Sequence, residues 1–458
     1  EAYPPVLAMQ NAAAEHRVPF LWDDDEVSVG YGRTARVWAA KAVPDPDDVD
    51  WASLESIPLG LVTGTNGKST TVRMAAAIIR SAGLSAGLTS TDWIRVGEQV
   101  LDTGDYSGPG GARTLMRHAD TEIAVLEVAR GGLLRRGLGV ETATAALITN
   151  VAADHLGEYG INTVQELAEA KFIVRKALKG TSPLILNADD SRIVEHSQAL
   201  EPEFTEDAAT RLIWFSLDAD NPVTTAHLES GGRAACLADG WLELRQAGNA
   251  RRIVKAGDLP SAFGGAARHN ISNALAAMAL CRQLGIGDDH LRQGLLSFRG
   301  DETDNPGRAN WFEGNGVRIV VDFAHNAHGM RALAQMVASL DAGRRVLLMG
   351  QAGDRLDKDI EALTVAACAM SPDQLLICEM PGYERGREPG EVPAIIRRVA
   401  LEAGVTESGI GLYPSPVEAV RQALQAARPG DMLVLLALTQ REEVLKMVHE
   451  YIGDCSAR

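Results

Sequence analysis

Large apolar residues crowd together at 57–63, and after a polar interval Val72, Ala75, Ala76 and Ile79 recur at helical spacing. One short buried strand followed by a helix accounts for both patterns, with the turn Gly64-Thr65-Asn66-Gly67-Lys68-Ser69-Thr70 between them. The alternation continues downstream. Residues 122–128 and 144–150 read as strands, 164–178 as a helix and 183–186 as a third strand, which predicts a mostly parallel, doubly wound sheet. Between 211 and 254 the texture changes to segments such as Leu212-Ile213-Trp214-Phe215 and Trp241-Leu242-Glu243-Leu244, broken by Gly231-Gly232 and Asp239-Gly240. That texture predicts a small antiparallel sheet appended to the same domain.

Residues 270–284 predict a helix with Leu275, Met278 and Ala279 on one face. The polar stretch 301–306 then runs into Asn305-Pro306-Gly307, a turn-forming linker and the expected domain boundary. Five further strands, at 318–323, 346–349, 375–378, 411–413 and 432–437, are separated by helices. They predict a second doubly wound α/β domain of about 150 residues, a usual domain size. The expected organisation is a short segment 1–57, a central α/β domain 58–306 and a C-terminal α/β domain 307–458. The first segment holds the acidic patch Asp23-Asp24-Asp25-Glu26 and is expected to be too small for a full domain.

Charge narrows the partners. A net charge of −17, from 44 basic and 61 acidic side chains, repels nucleic acid and anionic membranes and is compatible with a cationic small substrate. No apolar run reaches the roughly eighteen residues that a membrane span needs, and the first residues carry neither a basic start nor an apolar signal core. Cys236, Cys281, Cys368, Cys378 and Cys455 form no close pair of the metal-ligand type, so reduced thiols and a cytoplasmic location are expected. The chain begins with Glu, which leaves a preceding segment open.

The turn at 64–70 carries the chemistry. Backbone N–H groups of a glycine loop, together with the positive end of the following helix, make a cradle for a polyphosphate. Lys68 would reach the β and γ phosphates, and the Ser69 hydroxyl would ligate a magnesium ion. The strict phosphate-loop pattern places a glycine at position 62, where this chain has Val62, so the loop is a tighter variant. A plain glycine turn with a surface lysine is the alternative. Glu127 ends the run Ile123-Ala124-Val125-Leu126 and is placed to hold magnesium or its waters, or to serve as a cap or ion-paired strand end. Thr149-Asn150-Val151-Ala152-Ala153-Asp154-His155-Leu156 follows another strand. Sheets of this class bind ligands beyond the carboxyl ends of their strands, so these polar strand ends point to one crevice.

Taken in order, Gly64 to Ser69, Glu127, Asn150-Val151, Asp154-His155-Leu156, Lys171, Asn187-Ala188-Asp189-Asp190, His269-Asn270, Asn273-Ala274-Leu275-Ala276-Ala277, Pro306-Gly307-Arg308 and Asp322-Phe323-Ala324-His325-Asn326 resemble the Mur ligase superfamily. The resemblance covers nearly everything from residue 58 onward. Within the superfamily, the sequence at 127–132, the Gly353-Asp354-Arg355 turn and Arg385-Gly386-Arg387-Glu388-Pro389-Gly390-Glu391 are most similar to the C-terminal ligase half of cyanophycin synthetase.

The resemblance implies an ATP- and Mg2+-dependent amide ligase with a phosphate-loop central domain. A substrate carboxylate would attack the γ-phosphate to give an acyl phosphate, and an amine would then displace phosphate. Ser69, Glu127 and His155 match the magnesium ligands. Lys68 and Arg308 match cations that neutralise the moving phosphoryl group. Lys171 matches a lysine that some members carbamylate, and is otherwise a plain surface amine on a helix. His269, Asn270 and Asn273 match the adenine side, with helix capping as the alternative for Asn270; Asp322 matches a ribose ligand and His325 a residue near the adenine. ATP is thus expected between the domains, with Asn305-Pro306-Gly307 as the hinge.

Arg385, Arg387 and Glu391 fall on a loop where the superfamily captures the incoming amino acid, and a solvated charged loop is the alternative. The expected partners are a peptide-like or amino-acid carboxylate and an amino acid, arginine or another cation being favoured, with self-association left open. A segment of 57 residues is expected to be too short for a UDP-sugar domain, and no ATP-grasp half is expected within this chain. Competing expectations are a ligase like folylpolyglutamate synthase, a phosphoryl transferase, and an inactive ATP-binding module.

Overall fold

Five consecutive buried residues, Leu59–Thr63, require strands on both sides, and they have them. In the computed structural model, which describes residues 3–453, this strand pairs in parallel with Ile123–Glu127 on one side and Ala145–Ile148 on the other. Cys455 lies outside the described residues. The chain divides into two compact units. One runs through Ala152 and includes Leu156–Leu259 and Asn270–Phe298; the other takes Ala153–His155, Pro260–His269 and the chain from Arg299 onward.

The first unit is built on an 11-stranded sheet. From one edge its strands are Asn249–Lys255, Trp241–Gln246, Arg233–Ala238, Leu212–Ser216, Leu184–Asn187, Ala145–Ile148, Leu59–Thr63, Ile123–Glu127, Ala86–Thr89, Trp93–Val96 and Gln99–Thr103. The interior strands from Arg233–Ala238 to Ala86–Thr89 are mutually parallel, and an antiparallel pair continues the sheet at each end. This corrects one expectation. Leu212–Ser216 is fully buried and parallel to Leu184–Asn187, so it belongs to the main sheet, and the antiparallel part starts only where Trp241–Gln246 pairs with Arg233–Ala238. A five-residue apolar run has no period that separates the two arrangements.

The helix after the phosphate loop, Lys68–Ser81, is buried over most of its length, from Ser69 to Ile79. Helix Asp288–Ser297 covers it, and at the crossing a Cβ on Gly294 would lie 2.3 Å from the Ile78 Cα. Helix Arg268–Gln283 lies against the phosphate-loop strand, where a Cβ on Gly60 would be 3.1 Å from Leu280. Residues 3–57 fold as helix Pro4–His16 against the antiparallel strands Phe20–Trp22, Glu26–Val29 and Arg36–Ala39, around Val6, Met9, Phe20 and Val27. Within the acidic patch, Asp23 and Glu26 receive the Arg117 guanidinium at 2.6 and 2.9 Å.

The second unit holds a 6-stranded sheet, one strand more than expected, in the order Asn310–Gly314, Val317–Asp322, Asp431–Leu436, Arg344–Met349, Gln374–Cys378 and Ile410–Tyr413. The additional strand is the antiparallel edge at Asn310–Gly314, whose polar Asn310, Glu313 and Gly314 hide it in the sequence. Apolar clusters pack on both faces, as a doubly wound sheet demands. Among the described residues, no helix is long and apolar enough to cross a membrane.

The contact at Gly294 has a measurable consequence. Gly→Ala in a helix interior gains up to about 1 kcal/mol of propensity, whereas a methyl forced against backbone costs about 1–3 kcal/mol. Gly294→Ala is therefore expected to lower stability in denaturant unfolding. Gly110→Ala, in helix Pro109–Met116 with nothing within 4 Å of its added Cβ, is expected to be neutral or stabilising. Equal midpoints for the two variants contradict the crossing geometry.

Candidate active site

Two strand ends hold the phosphate loop from one side. The Thr149 hydroxyl donates to Asn66 O at 2.7 Å, Asn150 Oδ1 accepts the Asn66 N–H at 2.9 Å, and Asn150 Nδ2 donates back to Asn66 O at 3.0 Å. The Thr65 N–H donates to Asn150 O at 2.9 Å, and the Thr65 hydroxyl bonds both backbone groups of Ala152, at 3.0 and 3.1 Å. Such close approach excludes side chains. A Cβ on Gly64 would sit 1.9 Å from Thr149 Oγ1, and one on Gly67 would sit 2.3 Å from Asn273 Oδ1; both glycines have positive φ, 149° and 82°. Gly67 precedes the first turn of helix Lys68–Ser81, so its amide end opens at the loop, as an anion site requires. Lys68 Nζ folds back to donate to Thr65 O at 2.9 Å.

Strand register brings Glu127 to the same place. Glu127 stands opposite Val62, two residues before Gly64, and is only 2% exposed. Neither carboxylate oxygen has a hydrogen-bond partner among the described residues. An uncompensated buried carboxylate costs several kcal/mol, so this side chain fits a hard cation or its waters. Ser69, 5% exposed, has its hydroxyl 3.3 Å from that of Thr91. The adjacent Asp92 forms a buried ion pair with Arg73, whose guanidinium lies 4.4 Å from the centre of the Trp93 ring. Thr91 and Asp92 went unnoticed in the sequence, although they follow the strand Ala86–Thr89 just as Asn150 follows Ala145–Ile148.

The aspartate-rich motif after Leu184–Asn187 acts as a support. Asn187 Nδ2 donates to Thr149 O at 2.8 Å, and Asp190 accepts the Val151 N–H at 2.7 Å while capping helix Ser191–Ser197. Lys171, on helix Val164–Phe172, is 4% exposed and so is no surface amine. Asn270 is the third residue of helix Arg268–Gln283, which removes capping as its role; Asn273 Nδ2 donates to its Oδ1 at 3.3 Å.

In the second unit, Arg355 donates to Asp154 Oδ1 at 3.2 Å and to His155 Nε2 at 2.7 Å, while His325 Nε2 lies 3.6 Å from Asp154. Ligand atoms of Asp154, His155 and His325 fall within 4.8 Å of one another, but the guanidinium already supplies the positive charge that a cation would bring. Burial opposes ionisation of Asp154, yet the hydrogen bond and charge of His325, with His155 and Arg355, hold its carboxyl well below the usual range. His325 Nδ1 donates to Phe323 O at 3.0 Å. Asp322 accepts the N–H groups of Ala309 and Ala324, each at 2.7 Å, and burial outweighs those bonds to push its carboxyl up. The Arg308 guanidinium lies 5.9 Å from the Phe323 ring centre.

The loop at 382–391 is tied down by its own charges. Arg387 donates to Gly353 O at 2.9 Å and Arg355 O at 2.6 Å, and pairs with Asp357 at 2.7 Å and Glu391 at 2.8 Å; Arg385 pairs with Asp354. Arg387 and Glu391 thus fix the shape of the loop. Glu388, exposed at its tip, keeps a carboxylate directed to solvent.

His269 gives the site a pH signature. Burial, with the neighbouring His328 charge, pulls its pKa from 6.5 down to about 4. The unfolded chain then binds more protons in that interval, so stability is complete above 6.5 and falls as pH drops toward 4, by up to about 1.4 kcal/mol per unit. Denaturant unfolding of His269→Gln across this interval is expected to show a shallower decline than the parent; parallel curves contradict the assignment.

Comparison with known proteins bears on the family and the fold. Residues 62–281 match the Mur ligase middle domain and residues 307–437 the Mur ligase glutamate ligase domain. Cyanophycin synthetase of Trichormus variabilis is 33% identical over 384 residues, covering 83% of this chain and 41% of its own. The chain therefore spans about two fifths of the length of that relative. The UDP-N-acetylmuramoyl-L-alanyl-D-glutamate–2,6-diaminopimelate ligase of Geobacter metallireducens is 25% identical, covering 83% of this chain and 73% of its own. Among solved structures, E. coli FolC in complex with DHPP and ADP has a TM-score of 0.62 at 19% identity, covering 86% of this chain and 88% of FolC, which speaks to the fold. With both ligase domains present in order, and with the phosphate loop set between strand and helix, the chain belongs to the Mur ligase family.

Proposed function

We propose that this protein is an ATP-dependent amide ligase that joins an amino acid to a peptide-like or amino-acid carboxylate. The observation that carries this reading is the buried Glu127 carboxylate, without a hydrogen-bond partner among the described residues and in register with the strand that enters the phosphate loop.

In this reading an oxygen of the acid attacks the γ-phosphorus of ATP, the bond to the β-γ bridging oxygen breaks, and ADP leaves. The resulting acyl phosphate has the leaving group that a free carboxylate lacks. The amine then attacks the carbonyl carbon, phosphate departs with the bonding pair, and the nitrogen loses a proton to solvent or phosphate. Catalysis of the first step is mostly positioning and charge neutralisation. Gly64, Thr65, Asn66, Gly67 and Thr70 hold the triphosphate, and the Lys68 ammonium, now on Thr65 O, turns to the phosphates. Ser69 and Glu127 hold magnesium, which supplies charge neutralisation when bound. Lys171, Arg308, Asn270, Asn273, Asp322 and His325 keep the roles that the family resemblance implies, whereas His155 would have to release the Arg355 guanidinium from its Nε2 to join the magnesium ligands.

The acid and the amine are read more coarsely. Similarity to cyanophycin synthetase and the solvent-facing Glu388 support a cationic amino acid, arginine first among them. A cytoplasmic location belongs to the same reading.

Phosphate release assayed with amino acids and short aspartate-containing peptides is expected to require both an acid and an amine, with ADP as the nucleotide product; AMP and pyrophosphate contradict the acyl-phosphate route. Lys68→Ala is expected to abolish turnover without loss of folding. Glu127→Gln is expected to behave oppositely in two assays. Relief of the buried charge raises the melting temperature of the nucleotide-free protein by a few degrees, while the further rise on adding Mg2+ and ATP is lost. A melting temperature that still responds fully to Mg2+ and ATP removes Glu127 from the metal site.

A further inference from the structure

A cationic, aromatic patch stands directly beyond the end of the Glu127 strand. Helix Arg130–Arg136 is 7 residues long and carries Arg130, Arg135 and Arg136, a basic concentration on a chain of net charge −17. Tyr159, in the segment that follows His155, is 50% exposed, with the Arg135 guanidinium 5.2 Å and the Arg130 guanidinium 5.7 Å from its ring centre. Arg130 also pairs with Glu158 at 2.8 Å, which ties this segment to the helix.

The outer groups are uncommitted. Arg135 spends its Nε on Gly131 O at 2.9 Å, and among the described residues its terminal nitrogens and all of Arg136 make no hydrogen bond or ion pair. A guanidinium fork facing solvent is suited to bidentate capture of a carboxylate, and the neighbouring ring offers a face for a planar amide.

Chain geometry limits the reach. Arg130 lies three positions after Glu127, about 11 Å of extended chain at most. Five more helical residues bring Arg135 within about 8 Å further. A molecule presenting one carboxylate beside Glu127 can therefore extend a second to Arg135 when a few bonds or a short peptide part them.

We propose that Arg135, Arg136 and Tyr159 bind a second carboxylate of the acid substrate, so that the protein selects peptide-like acids carrying more than one carboxylate. Arg130 is a positioning residue that holds Tyr159 through Glu158. This rests on the ligase reading given above and names the substrate class of its acid site.

The test uses the full chain, with the C-terminal amide Asp-Asp-NH2, a diacid, and its singly acidic counterparts Asp-Asn-NH2 and Asn-Asp-NH2 as probes, and phosphate release with saturating ATP and amine as the signal. Arg135→Ala/Arg136→Ala and Tyr159→Ala, as well as the charge reversal Arg135→Glu, are expected to raise KM for the diacid about tenfold. KM for the singly acidic peptides and for ATP, and the melting temperature, are expected to stay as in the parent. Higher salt is expected to raise KM for the diacid in the parent and not in the double variant. If the parent releases phosphate in response to acids and the variants keep its KM for the diacid, the patch assignment falls and the ligase reading stands. If no acid stimulates the parent, the ligase reading falls and takes the patch with it.

Discussion

The bonds joining Asn66 to Asn150 and Thr149 are the constraint on which the candidate site depends. They fix a loop that leads into the amide end of a helix, and they do so through neighbouring strands of one buried sheet. Each bond is worth only about 1 kcal/mol net. Their combined effect is positional, because a loop held at both its N–H and C=O cannot turn its peptide planes away. Asn187 and Asp190, from the next strand along, hold the holders.

That arrangement explains why polar residues gather at the carboxyl ends of adjacent parallel strands. Leu59–Thr63, Ile123–Glu127, Ala145–Ile148 and Leu184–Asn187 each deliver a polar group just as the strand ends. Parallel pairing makes all of them emerge on one rim, and apolar helices such as Lys68–Ser81 bury the rest of the sheet. Glu127 departs from the rule that buried polar groups are paired, with both oxygens of a carboxylate. Its burial without a partner is a local cost set against the stability of a large core, a pattern expected where a ligand completes the environment.

The second unit works by charge compensation. Arg387 gathers two carbonyls and two carboxylates from the 353–357 turn and its own loop, and Arg355 passes the same order to Asp154 and His155. Charged loop residues that read as ligand contacts thus divide into those that shape the loop and those left to face solvent, and only coordinates separate the two groups.

The sequence by itself determined the alternation of strand and helix, the phosphate loop, the family resemblance and the strand-end position of Glu127, because period, glycine spacing and chain order are local properties. It could not place Leu212–Ser216 in the parallel sheet, since an apolar run of that length carries no direction. It could not show Lys171 buried or Asn270 inside its helix, since burial depends on what distant segments cover. Tertiary structure alone decided that Thr149 and Asn150 grip Asn66, that Thr91 stands beside Ser69, and that Tyr159 lies near two arginines; each of these joins residues many positions apart, and such pairings exist only once the chain has folded.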